Sequence, residues 1–160
     1  MQPLTPDDVR LALDAANLGL TIRHFDDSTA TSELAAEAIG CVVGQIAKSI
    51  CILVDGVPIL VVASGDQQVD DRKIATMFEV GRKKVKLAKP DQCIEIYGYA
   101  PGGVPPVGHR TPNIPIYLDQ TLKRYETVYA AAGSPNDNFG MTIEQLETLT
   151  GGTWADVSKA

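Results

Sequence analysis

One stretch of this chain is unusually rich in backbone-shaping residues: Gly98-Tyr99-Ala100-Pro101-Gly102-Gly103-Val104-Pro105-Pro106-Val107-Gly108-His109, with four Gly and three Pro in twelve positions. Proline fixes φ and removes a donor, while glycine permits positive φ and close approach of another group. Such a loop is stiff, and its remaining N–H and C=O groups can be aimed at a ligand. It reads either as a binding loop or as a rigid structural turn. It does not match a phosphate-binding or dinucleotide fingerprint, because no Gly-Lys-Ser/Thr follows and proline stands where those motifs need donors. Lys48 is the second candidate. It sits alone between Gln45-Ile46-Ala47 and the apolar run Ser49-Ile50-Cys51-Ile52-Leu53-Val54. Either it marks the exposed start of a strand, or it faces a polar cavity as a compact cation for a phosphate, hydroxyl or carboxylate. Of the two histidines, His24 and His109, the second adjoins the Gly/Pro loop. No Gly-x-Ser-x-Gly nucleophile motif is present. Cys41, Cys51 and Cys93 lie in apolar contexts and are expected to be buried, inert thiols. The acidic pairs Asp7-Asp8 and Asp70-Asp71 stand at helix starts, where capping accounts for them.

The rest of the chain must position these groups. At 160 residues, 44% hydrophobic and 21% charged, it has the composition of one folded domain spanning 1–160. No apolar run approaches the roughly 20 residues of a membrane helix, and the acidic N-terminus is no signal peptide. An odd number of cysteines in apolar settings fits a reducing, cytoplasmic setting. The net charge of −6 argues against a nucleic-acid binder. Its distribution argues the opposite. From Arg72 to Lys89 the chain carries Arg72, Lys73, Arg82, Lys83, Lys84, Lys86 and Lys89 against one acid, Glu79, a local +6. This window is either a solvated lysine-rich face or a patch that steers a polyanion.

Capping and periodicity predict the elements. Thr5-Pro6-Asp7-Asp8 opens a helix to about Asn17, with a stop at Gly19. Thr21 to Phe25 reads as a short strand, and Thr31 or Ser32 caps a helix ended by Gly40. Ser49–Val54 and Val57–Ala63 form a hairpin across Asp55-Gly56, apolar enough to be covered on both faces. Asp70 or Asp71 caps a helix to about Val80, with Ile74, Met77 and Phe78 as its buried stripe. Lys84 to Ala88 is a strand, and Pro90 opens a helix to about Tyr97. Ile114–Leu118 and Thr127–Ala131 are strands, with a turn over Thr121–Arg124 between them. The capping box Thr142-Ile143-Glu144-Gln145 opens the last helix, and Trp154 to Val157 closes the chain as an edge strand. The mixture predicts an α+β domain with a curved mixed sheet.

Four segments in order then carry a resemblance: Ser28-Thr29-Ala30-Thr31-Ser32-Glu33-Leu34-Ala35-Ala36, Gln45-Ile46-Ala47-Lys48-Ser49, Ser64-Gly65-Asp66-Gln67-Gln68-Val69-Asp70, and the Gly/Pro loop, which looks like a GxxPGxxxPxG signature. Together they resemble the YbaK/prolyl-tRNA-synthetase-associated family, from roughly Phe25 to Val157. The resemblance implies a barrel-like mixed sheet flanked by helices. It implies hydrolysis of the ester joining a wrong, small amino acid to the 3′ end of a tRNA, without metal or organic cofactor. It places Lys48 in the pocket at the substrate end, and the backbone of Gly98, Pro101 and Gly102 around the amino acid and the attacking water. Tyr99, Gly103, Val104, Pro105, Gly108 and His109 would complete the substrate site. Arg72, Lys73, Arg82, Lys83, Lys84 and Lys86 would hold the acceptor stem. The implied partners are tRNA and an aminoacyl-tRNA synthetase, with neither membrane nor DNA. The competing readings are a non-catalytic RNA-binding or regulatory module on the same fold, and a hydrolase for another small acyl ester. An activated ester needs oriented dipoles more than a strong nucleophile, so the absence of a triad is no objection.

Overall fold

The computed structural model describes residues 1–159 as an α+β arrangement of two open sheets with helices around them. α1 (Pro6–Ala16) follows its capping box, in which the Asp8 carboxylate accepts from the Thr5 N–H at 2.8 Å. Asn17, in the left-handed conformation, ends it. β1 (Ile22–His24) leads to α2 (Ser32–Ile39), capped by Thr31 and closed by Gly40. β2 (Ala47–Val54) and β3 (Val57–Ser64) form the expected hairpin, in register from Ala47↔Ser64 to Val54↔Val57. α3 (Asp71–Phe78) stops two residues before the expected Val80, because Glu79 turns left-handed. β4 (Val85–Leu87) follows a 3-10 turn over Arg82–Lys84. The helix at Pro90 begins as α4 (Pro90–Gln92) and widens into a π-helical turn over Cys93–Tyr97. β5 (Ile116–Asp119), β6 (Thr127–Ala131), β7 (Asp137–Thr142), α5 (Ile143–Thr150) and β8 (Thr153–Ala155) complete the chain. No helix among the described residues is long and apolar enough to cross a membrane.

The larger sheet has the order β4-β2-β3-β5-β8, with β3, β5 and β8 parallel and the rest antiparallel. The smaller sheet has the order β1-β7-β6. An isolated parallel bridge, Ile46↔Tyr129, links the two, and the barrel expected from the resemblance is not closed. Its seam falls along β2, where β4 and β6 do not meet. The hairpin is covered on both faces, as its apolar composition demands. Ala47, Cys51, Leu60 and Val62 face a core built with Leu13, Tyr97, Leu118 and Leu146, while Ile52, Val54, Ile59 and Val61 face Ile74 and Val157. Three further sequence expectations fail. Met77 is exposed, so the α3 stripe narrows to Ile74, with Phe78 at its margin. Cys41 is half-buried. β7 has no counterpart among the expected strands, because Asp, Asn and Gly are poor strand residues. Gly140 is required there by close approach, since a Cβ would lie 2.8 Å from the ring of its cross-strand partner Tyr129.

Two polar devices lock the site's scaffold. The Tyr97 hydroxyl, fully buried, donates to the carbonyl oxygens of Ile59 (2.6 Å) and Ile52 (3.2 Å), pinning the helical turn before the Gly/Pro loop onto the hairpin. The Arg124 guanidinium grips the segment after β3, donating to Asp66 Oδ1 at 2.7 Å, Asp66 Oδ2 at 3.2 Å and Ser64 Oγ at 2.8 Å. Such a bidentate fork fixes geometry as well as charge. Tyr97→Phe removes the hydroxyl but leaves two buried carbonyls with their ladder bonds, and should cost about 1–2 kcal/mol in urea unfolding. The hydrogen bonds from Arg124 hold the Asp66 carboxyl below its ordinary value of 3.8. An acid so depressed stabilises the fold above its unfolded pKa, and that contribution disappears as pH falls through the folded value. The urea midpoint of the wild type should therefore exceed that of Asp66→Asn at pH 7, and the difference should begin to shrink as pH falls below 3.8 and go on shrinking through the lower folded value.

Candidate active site

Strand parity determines which groups of β2 reach the seam. The Ala88 N–H donates to Cys51 O (2.9 Å) and the Asp55 N–H to Lys84 O (2.8 Å), so odd-numbered residues of β2 direct their backbone groups toward β4. The even-numbered residues bond β3, and the Leu60 N–H accordingly points the other way, to Pro115 O (2.9 Å). Beyond Ala88 the chain leaves the sheet at Pro90, and β6 joins β2 only at Ile46. Between these points the edge of β2 opens into a cleft of about 360 Å³.

The cleft is walled by Thr29–Ser32 and Ala35 on one side and by Ala88 and Cys93 on the other. Ala131 and Asn138 come from the smaller sheet, and Pro101, Gly102 and Val104 from the Gly/Pro loop. Small residues (Ala, Gly, Ser, Thr and Cys) make up most of this lining, which is why space remains. Asn138, on the unexpected strand β7, donates to Thr29 Oγ1 at 2.7 Å and sets the polar wall. Lys48 reaches the cleft's mouth, where its ammonium donates to Gln67 O at 2.6 Å. Gln67 belongs to the segment that Arg124 clamps through Asp66, so the lysine is positioned from behind. Burial lowers the Lys48 pKa, opposed by the charges of Glu33 and Asp66.

Ala100 to Gly103 form a turn closed by the Gly103 N–H to Ala100 O bond (3.1 Å). Pro101 takes its second position and Gly102, at φ +91°, its third, the pattern of a type II turn. The central peptide, with the Pro101 carbonyl and the Gly102 N–H, takes no part in the turn's own bond and borders the cleft.

The structure thus brings together Lys48, Pro101, Gly102 and Val104. It does not bring the other loop residues to the cleft wall. Gly98 accepts from the Leu4 N–H (2.6 Å), and Tyr99 is buried with its hydroxyl on Gly108 O (2.7 Å). Gly103 O accepts from the Gly133 N–H (2.9 Å). His109 Nε2 lies 2.7 Å from Pro105 O, and burial lowers its pKa, which keeps it neutral near pH 7. These contacts brace the loop from within. The thiols of Cys51 and Cys93 line the cleft floor, and hydrogen bonding to Cys93 with burial raises the Cys51 pKa far above that of a reactive thiol.

The basic residues also divide. Lys48, Ile50 and Leu87 border both the cleft and an adjoining groove, and Lys86 continues that groove to a hollow lined by Lys83 and Lys84. Lys84 lies 3.6 Å from Asp55, both exposed. Arg82 is exposed on the same turn. Arg72 and Lys73 border a separate depression, where Lys73 is held by Asp156 Oδ1 (2.8 Å) and Ser158 O (2.7 Å).

Comparison with known proteins agrees with this architecture. The chain is 36% identical over 140 residues to the uncharacterised protein YwhH of Bacillus subtilis strain 168, covering 86% of this chain and 87% of that one. It is 28% identical over 114 residues to the proline–tRNA ligase of Shouchella clausii, of which the match spans only 19%. The crystal structure of a candidate trans-editing enzyme for prolyl-tRNA synthetase superposes with a TM-score of 0.89 at 36% identity, covering 97% of both chains. The aminoacyl-tRNA editing domain matches residues 26–149, and the chain belongs to that family.

Proposed function

We propose that the chain, acting as one editing unit over residues 1–160, is a freestanding cytoplasmic hydrolase that removes a small, wrongly attached amino acid from tRNA. The observation that carries this reading is the cleft itself. It has walls made mostly of small residues, a fixed ammonium at its mouth, an unused peptide unit at its rim and a groove leading to lysines. The amino acid enters the cleft, and side-chain volume excludes larger residues. Discrimination by a synthetase pocket is only about 1–3 kcal/mol per methylene, so a second, smaller pocket adds selectivity. Ile50 and the exposed Leu87 offer an apolar floor to the terminal base, and Lys83, Lys84 and Lys86 take the phosphates that follow. Arg82 lies beside that path, while Arg72 and Lys73 are set apart from it.

The chemistry asks little of the protein. Water adds to the ester carbonyl, the acyl C–O bond breaks, and the departing ribose oxygen takes the proton that the water gives up. The neighbouring ribose hydroxyl relays that proton. Lys48 holds the ribose end, and the Pro101–Gly102 peptide orients the amino acid and water. Fixed dipoles in such a site need no reorganisation as charge develops. A synthetase that releases mischarged tRNA is the natural supplier of substrate.

The test is a deacylation screen of tRNA(Pro), tRNA(Ala) and tRNA(Thr), each charged with Ala, Ser, Cys, Thr or Pro. Release of one small amino acid, reduced more than tenfold in Lys48→Ala with the fold intact, is the expected result. Binding without release from any pair would favour the regulatory alternative. Lys83→Glu with Lys84→Glu should raise KM for charged tRNA and spare a minimal aminoacyl-adenosine. Equal effects on both substrates would remove these lysines from the RNA path. Affinity for tRNA should fall steeply with salt, as expected when phosphate contacts release counterions.

A further inference from the structure

Ser49 has a combination of groups that no other part of the cleft offers. It lies on β2 between Cys51, which accepts from the Ala88 N–H, and Ala47, beside the Ile46↔Tyr129 bridge. By parity its N–H and C=O both point across the open edge. The position that would face it in an extended β4 is Pro90, which has no N–H and starts a helix instead. No strand pairs with that edge at Ser49 among the described residues. Its side chain adds a further unused group: Ser49 Oγ is buried without a hydrogen-bond partner, on a residue that lines the cleft. A buried hydroxyl left unpaired costs free energy, and a cleft that retains one is shaped for a ligand that pairs with it.

We propose that Ser49 is the residue that grips the aminoacyl group, which docks as a one-residue strand in the gap left by Pro90. This rests on the editing reading above. A residue opposite Ser49 in an antiparallel ladder exchanges two bonds with it. The α-ammonium of the substrate donates to Ser49 O, and the Ser49 N–H donates to the ester carbonyl oxygen. That second bond shortens as water adds and the oxygen becomes an anion, so the strand edge stabilises the tetrahedral intermediate as well as holding the substrate. Ser49 Oγ accepts a further bond from the ammonium. The side chain of the amino acid then turns toward the alanine-lined walls. The recognised class is a free α-amino acid esterified to the ribose.

Ser49→Ala removes Oγ without adding bulk. If the hydroxyl serves substrate, the variant should keep or raise its melting temperature, because a buried unpaired group is gone, yet lose at least tenfold in kcat/KM for the aminoacyl ester. A lowered melting temperature with unchanged kcat/KM would mark the hydroxyl as structural and overturn the proposal. Binding separates this from failure of the editing reading. The uncleavable amide 3′-(alanylamino)-3′-deoxyadenosine should bind the wild type at least tenfold more tightly than Ser49→Ala by calorimetry, whether or not the wild type hydrolyses any charged tRNA. Equal affinities, or no binding by the wild type, would overturn the proposal. An inactive wild type that still shows the affinity difference would sink the hydrolase reading and leave Ser49 as an aminoacyl grip.

Discussion

The architecture turns on an interrupted ladder. β2 is paired along its whole length with β3, but its other edge is covered by β4 only from Cys51 onward and touched by the smaller sheet only at Ile46. Unpaired strand edges inside a fold are costly, because buried backbone groups need partners. Here the cost is localised to one short segment, and that segment is the wall of the cleft. Pro90 ends the ladder at one side because it cannot donate, and the divergence of β6 after Tyr129 ends it at the other.

Two supports keep the gap from collapsing. The Tyr97 hydroxyl ties the segment before the Gly/Pro loop to the hairpin, so the Pro101–Gly102 peptide is held at a fixed distance from β2. The Arg124–Asp66–Ser64 cluster fixes the carbonyl on which the Lys48 ammonium rests. Both are long-range in sequence, which makes the site a product of the whole fold and not of one motif. The lysines beyond Leu87 give the opening direction: Lys83, Lys84 and Lys86 line a hollow that the groove joins to Lys48, which is the path proposed above for the phosphates. The surplus of acid elsewhere on the chain, which makes the net charge −6, discourages binding on other faces.

Local signals in the sequence carried much of this. Caps at Thr5, Thr31, Asp70 and Thr142 placed four helices, and Asp55-Gly56 placed the hairpin. Lys48 stood out as a lone cation before an apolar strand and the Gly/Pro loop by its composition, while the roles of Pro101 and Gly102 within that loop came only with the family resemblance. What could not be read were properties set by pairing. β7 hides behind Asp, Asn and Gly, whose presence is explained by Thr29, by the turn before it and by the ring of Tyr129. Ser49 looks like any polar residue at a strand's start until the missing partner opposite it is known. The same limit applies to the Gly/Pro loop, where composition marks the whole stretch equally but packing sends Tyr99, Gly103 and His109 inward and leaves Pro101, Gly102 and Val104 at the cleft. The basic window is continuous in sequence and divided in space, since α3 carries Arg72 and Lys73 to another face.

The central claim is that an aminoacyl-adenosine end occupies the gap in β2's edge. The most direct measurement is an amide chemical-shift titration of the isotope-labelled protein with the uncleavable 3′-(alanylamino)-3′-deoxyadenosine. The account predicts saturable shifts concentrated on the Ser49 and Gly102 amides and extending to Leu87. Shifts confined to other surfaces, with Ser49 and Gly102 unmoved at saturation, would contradict it.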